Sequence, residues 1–173
     1  NLGSPVSLGY VLFDGAIGDF QVVGNLGYLL VHHDSGWGLE VIDLSNPGKL
    51  VRLGGQTING WAEDVEVVGP FAYVAASGAG LRVFDVSNPT APSFVGAFDT
   101  SGLAAGVQLA GNLACVADGF AGLQVIDVSK PAHPVRVGGY DASGYVGGVR
   151  VVGNLAYMVH GANGLTILQL RED

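Results

Sequence analysis

The feature that most constrains this chain is an internal period. Three segments superimpose without gaps, GLEVIDLSNP (38–47), GLRVFDVSNP (80–89) and GLQVIDVSKP (122–131), and GLTILQLRED (164–173) is a degenerate fourth. A second marker lies upstream of each: VVGNLGYLL (22–30), VVGPFAYVA (67–75), LAGNLACVA (109–117) and VVGNLAYMV (151–159). Pro47, Pro89 and Pro131 repeat at a spacing of about 42 residues, which belongs to arrays of stacked supersecondary units.

Each unit reads as four short strands. Alternating apolar runs such as Val65 to Val68 and Phe71 to Val74 flank a two-residue Gly-Pro or Gly-Asn step, a strong hairpin signal. A glycine-rich turn (77–80), the strand Leu81 to Val86, a proline-marked turn and a fourth strand near Ser93 to Phe98 complete the unit. No segment sustains a helical period, so essentially no helix is expected. Four strands in about 42 residues is the spacing of a β-propeller blade. The expected fold is therefore all-β. One domain (1–173) holds four repeats, at about 1–45, 46–87, 88–129 and 130–173, each a four-stranded antiparallel blade.

The motif G-L-x-V-[IF]-D-[VL]-S-x-P, preceded by G-N-x-A-Y-V-A, resembles the LVIVD repeat. Repeats two and three carry it most fully, whereas Gln169 replaces the aspartate of Asp43, Asp85 and Asp127 in repeat four. The resemblance implies a propeller in a bacterial or archaeal surface or secreted protein. It implies no shared catalytic residues.

Chain phase bears on closure. Ser4-Pro5-Val6 matches His133-Pro134-Val135, so the chain starts and stops at one phase of the repeat, and each repeat supplies its outer strand first. The N-terminal strand, Val6 to Leu12, is then expected to complete the blade of Leu165 to Leu170, within one chain or between chains. A closed four-bladed ring is the first expectation. Two chains forming an eight-bladed ring, or an excised half of a larger propeller, are the rivals.

Composition narrows the function classes. A net charge of −8 leaves no basic stripe for nucleic acid or an anionic membrane surface. No apolar run approaches the length of a bilayer span. Charged residues make up 13% of the chain, where about a quarter is usual. A surface this poor in charge is expected either to be covered by subunits or glycans or to consist of small polar residues. The chain begins at Asn1, as a mature secreted protein or an excised piece would, so an extracellular or cell-surface location is expected. The single cysteine, Cys115, occupies the slot of Tyr28, Tyr73 and Tyr157 and is expected in the core.

The least repetitive residues fall in loops expected on one face. They nominate His32, His33, Trp37, Trp61, Glu63, Asp64, Tyr145 and His160 as binding residues, with Asp19, Leu103, Asp118 and Phe120 in equivalent loops. His32 or His33 beside His160 would offer imidazoles to zinc or copper, but no spacing is diagnostic and no metal or other cofactor is assigned. Gln21, Glu66, Gln108 and Arg150 share one innermost-strand position and are expected to form a polar lining, with Glu66 facing Arg150 across the axis. Asp43, Asp85 and Asp127 are expected to cap turns through backbone hydrogen bonds. Asp99-Thr100-Ser101-Gly102 resembles an aspartic-protease motif, but Asp141-Ala142-Ser143-Gly144 one repeat on marks both as one turn.

No nucleophile elbow, phosphate loop or zinc-protease motif occurs. The chain is therefore expected to be a non-enzymatic structural or protein-interaction scaffold that engages a protein partner or associates with itself. The alternative is a propeller binding a sugar, peptide or metal at the loop face. A hydrolase or lyase with a site in the central funnel comes last.

Overall fold

The computed structural model describes residues 3–161 and 164–170, and every regular element among them is a strand. Blade 1 comprises β1 (Ala16–Val23), β2 (Leu26–His33), β3 (Gly36–Asp43) and β4 (Val51–Thr57). Blade 2 comprises β5 (Asp64–Val68), β6 (Phe71–Ala75), β7 (Leu81–Asp85) and β8 (Ser93–Phe98). Blade 3 comprises β9 (Gly106–Ala110), β10 (Leu113–Ala117), β11 (Leu123–Asp127) and β12 (Val135–Tyr140). Blade 4 has β13 (Val146–Val152), β14 (Leu155–His160) and β15 (Gly164–Gln169). Within each sheet the strands follow chain order and pair antiparallel, so each blade is a meander. The repeated units of the sequence are thus propeller blades.

The sequence dictates the first hairpin of each blade. Val23 pairs with Leu26, Val68 with Phe71, Ala110 with Leu113 and Val152 with Leu155, leaving two-residue loops. Gly24, Gly69, Gly111 and Gly153 hold φ of 57–62° at the first loop position. The second is Asn or Pro with negative φ, the pattern of a type II′ turn, and it is why Pro70 fits there. At the β3–β4 turn and its equivalents, Asp43, Asp85 and Asp127 each accept the backbone N–H two residues on, at 2.8 Å. The expected caps are therefore present, and the N–H and hydroxyl of Ser45, Ser87 and Ser129 hold these carboxyls below their ordinary range.

The core lies between blades. One buried cluster joins blades 1 and 2 around Leu39, Val41, Val65 and Val74, a second joins blades 2 and 3 around Leu81, Val83, Val107 and Val116, and a third joins blades 3 and 4 around Leu123, Val149 and Met158. Cys115 sits in the third, fully buried as its repeat slot requires. Along the axis, β1 packs on β5, β5 on β9 and β9 on β13. β13 and β1 do not pack on each other to that extent. A gap bordered by Gly18 and Asp19 on one side and Val159 and Leu165 on the other opens into the axial funnel.

Among the described residues of one chain, no ladder joins Val6 to Leu12 with Leu165 to Leu170, the expected pairing. Residues 4–13 belong to no strand, β15 pairs only with β14, and the fourth blade has three strands. The N-terminal segment lies against blade 1, with Gly9 packed on the Pro47 carbonyl as Gly96 packs on the Pro131 carbonyl, so it holds an outer-strand position and it is blade 4 that does not come up to it. The chain ends on which the phase argument also rests, residues 1–2 and 171–173, lie outside the described residues.

Because the core is made of blade-to-blade contacts, Leu81→Ala at a fully buried seam position is expected to remove about 2–5 kcal/mol of unfolding free energy. Val137→Ala on an exposed outer strand should change it by about 0.5 kcal/mol or less. Urea denaturation of both variants tests the comparison, and equal losses would show that the seams do not carry the stability.

Candidate functional site

The four innermost strands converge on a funnel of about 520 Å³, bordered by Asp19, Glu63, Asp64, Gly106, Gly148 and Arg150 among others. Its polar side chains are largely committed to the next blade. Asp19 accepts the Val65 N–H at 3.0 Å, and Asp64 accepts the Val107 N–H at 2.9 Å. Two residues along, Gln21 accepts from Val67, Glu66 from Leu109 and Gln108 from Val151. These bonds satisfy backbone donors that an inner strand cannot pair within its own sheet. The expected polar lining is thus a set of latches between neighbouring blades. Arg150, the fourth member of the Gln21 position, donates to the Val149 carbonyl at 3.1 Å. Its charge reaches Glu66 and Asp64 and opposes the rise that burial imposes on both.

Asp64 is the most perturbed acid. Burial, then its neighbour Asp19, push its carboxyl up to about 6 against the pull of the Val107 N–H and of Arg150. Glu66 is raised chiefly by burial, and Asp118 likewise. Burial and the Glu66 charge push the Cys115 thiol up to about 11, so at neutral pH it is a protonated apolar residue rather than a nucleophile.

The loop face divides the nominated residues into separate groups. His32, Trp37 and Trp61 meet, with His32 at 5.2 Å from Trp37 and 5.6 Å from Trp61, and the two indoles 5.6 Å apart. Within this trio Trp61 is 58% exposed, whereas Trp37 is 8% exposed and belongs to the blade 1–2 core, its Nε1 without a hydrogen-bond partner. Tyr145 stacks edge-on with Phe120 at 5.4 Å, and Gly119 lies close to both Tyr145 and Leu103. Glu63 and Asp64 line the funnel mouth. His33 turns away from this face, its Nε2 3.0 Å from Glu40 Oε1 and its Nδ1 3.3 Å from the Asp14 carbonyl. His160 is buried at the end of β14, and neither ring nitrogen has a hydrogen-bond partner. Among the described residues no three His, Cys, Asp or Glu side chains converge on a metal position, and the imidazoles do not gather.

Sequence reasoning missed the buried Glu40, which bridges His33 and Arg52 in blade 1. A signal was available: Gln124 holds Arg136 at the same twelve-residue spacing in blade 3. Asp118 was noted only as a loop acid. It is fully buried and ties Thr100 Oγ1 (2.6 Å) and the Gly102 N–H (2.9 Å), so the protease-like Asp99 to Gly102 segment is a turn pinned between blades.

Asp64 makes stability depend on pH. Its folded pKa of about 6 lies above the ordinary 3.8, so between those values the folded chain holds a proton that the unfolded chain lacks. Stability is therefore gained below pH 6 and lost as pH rises through 6. Asp64→Asn keeps an oxygen acceptor for Val107 and removes the titration. The variant is expected to lose about 1 kcal/mol of the stability difference between pH 5 and pH 7.5, read by urea denaturation at both values. An unchanged difference would assign the perturbation elsewhere.

Comparison with known proteins agrees with this architecture. The LVIVD repeat model matches residues 15–54, 59–100, 101–142 and 143–169. No curated protein matches. Among solved structures, the computationally designed Ika4 protein is similar with a TM-score of 0.75 at 10% identity, over 97% of this chain and 99% of that one. The designed Ika8 protein is similar with a TM-score of 0.69 at 10% identity, over 90% of this chain. A functionally unknown protein from Desulfotomaculum acetoxidans DSM 771 gives 0.67 at 12% identity, also over 90% of this chain. The chain spans 46% and 55% of the last two proteins. At such identities the likeness concerns fold alone. Four matched repeats along nearly the whole length make this chain a member of the LVIVD repeat family.

Proposed function

We propose that this chain is a non-enzymatic propeller module that works by contact, as an interaction scaffold on a cell surface or outside the cell. The observation that carries the reading is the aromatic rim. Trp61, Leu103, Phe120 and Tyr145 stand exposed in the loops between strands, Phe120 at 76% exposure. Rigid aromatic side chains beside small polar neighbours favour buried contacts with a protein partner. The funnel acids support the same reading, because Asp19, Asp64 and Glu66 already accept backbone N–H groups. The sparse charge of the chain supports an extracellular setting.

A second reading, a small ligand such as a sugar or peptide at the same face, is favoured by the funnel itself. Gly106 and Gly148 border it together with Asp19 and Asp64, so backbone as well as carboxylates faces the space.

Trp61→Ala combined with Phe120→Ala tests both, since each is exposed and outside the core, unlike Trp37. Wild type and variant would be titrated against immobilised peptide and glycan panels. At least a tenfold loss of binding with an unchanged far-ultraviolet spectrum is expected. Equal binding by the double variant would remove the loop face from the function. Hydrolysis of a chromogenic ester or glycoside by the wild type, abolished in Asp64→Asn, would replace the scaffold reading with an enzymatic one.

A further inference from the structure

The three internal seams show what a finished seam buries, and so make the two ends of the array legible. On the rear face of each blade, Leu39, Leu81 and Leu123 are at most 1% exposed, while Leu165 in the same register of blade 4 is 57% exposed. On the front face, Val65, Val107 and Val149 are at most 5% exposed, while Phe20 in blade 1 is 64% exposed. Both terminal faces thus carry the apolar residues of a seam without the seam.

The N-terminal segment repeats the message. An added Cβ on Gly54 of β4 would strike the carbonyls of Pro89 and Thr90 in blade 2, and one on Gly96 of β8 would strike the Pro131 carbonyl in blade 3. One on Gly9 would strike the Pro47 carbonyl in blade 1 in the same way. Gly9 therefore occupies, against blade 1, the place that an outer strand of a preceding blade would take. Val6, Leu8, Tyr10 and Leu12 are exposed there with no sheet to join. At the other end, blade 4 lacks its outer strand and leaves the edge of β15 open.

We propose that the free strand and the open blade meet between two copies of this chain, each giving residues 6–12 to β15 of the other and packing its blade 1 on the partner's blade 4. Within one chain both parts are present, and among the described residues no ladder joins them. The latches that draw neighbouring blades together are missing at this seam. Gly148, like Gly106 at the finished blade 3–4 seam, offers no side-chain oxygen, and Arg150 stands where Gln21, Glu66 and Gln108 each offer an acceptor to the next blade. Nothing along the axis then ties blade 4 to its own blade 1, and the seam depends on apolar faces and the exchanged strand. A two-fold exchange supplies both ends at once, closes the array and leaves no open edge. The seam is distinct from the aromatic rim, so its test can fail while the loop-face reading stands.

The register of β12 on β11 pairs Gly139 with Gln124, and by repeat equivalence it sets Tyr10 opposite Thr166. In a chain carrying Tyr10→Cys and Thr166→Cys, Cys115 stays buried and out of the exchange. Mild oxidation is expected to give a covalent dimer on denaturing gels, and light scattering of the wild type about twice the 17.6 kDa chain mass. Phe20→Asp is expected to convert that dimer to a folded monomer. A cross-link formed within single chains would overturn the second copy in favour of self-closure. Failure of the two cysteines to cross-link, or a wild type that stays monomeric at its highest soluble concentration, would overturn the exchange.

Discussion

Every level of this structure depends on one constraint: a blade has two apolar faces, and no blade can bury both alone. A four-stranded meander of about 42 residues has too little interior of its own, so its valines and leucines are buried only when a neighbour covers them. The buried clusters accordingly fall between successive sheets. The turns then have a defined task. The II′ glycines and the aspartate caps fix each meander's register, so that the same residues emerge on the same face in every repeat and one seam resembles the next.

Hydrophobic faces alone leave blades free to slide, and the axial latches supply direction. A side-chain oxygen of one inner strand accepts a backbone N–H of the next, which fixes the offset between neighbours and satisfies donors near the crowded axis. The same arrangement accounts for the perturbed acids. Asp64 is held where burial and Asp19 disfavour its charge, and there it accepts the Val107 N–H across the seam. A raised carboxyl in a funnel is often a catalytic signature. Here each raised inner-strand acid already has a structural partner, and that weakens the enzymatic reading of the funnel.

The fold was legible because it is written four times. Hairpin loops, capping aspartates, the inner polar position and the core slot of Cys115 all follow from period and spacing, and the structure places them so. The site was legible only in part, because its residues break the repeat and the repeat therefore says little about their orientation. Trp37 and Trp61 look alike in sequence, yet one is enclosed by the first seam and the other stands in solvent. His32 and His33 are adjacent on a strand, so they must point to opposite faces: one joins the indoles and the other binds Glu40. His160 shares its slot with Asp118, and only the three-dimensional neighbours show that the aspartate has donors within reach while the imidazole has none.

Closure was the least legible feature, and the reason is physical. Phase shows that residues 6–12 match an outer strand, and among the described residues blade 4 has no such strand. It does not establish whose strand fills the vacancy, since an identical edge on another copy presents the same hydrogen-bonding groups and the same apolar side chains. The choice is made by whatever else ties blade 4 to blade 1: Gly106 is already without an acceptor at the blade 3–4 seam, where Gln108 serves alone, and in blade 4 both positions lose theirs, to Gly148 and Arg150. A glycine has no oxygen to offer, and a guanidinium is a donor facing another donor. The departure of repeat four from the motif, which in sequence looks like decay, thus removes the side-chain acceptor that would hold blade 4 to a following inner strand along the axis.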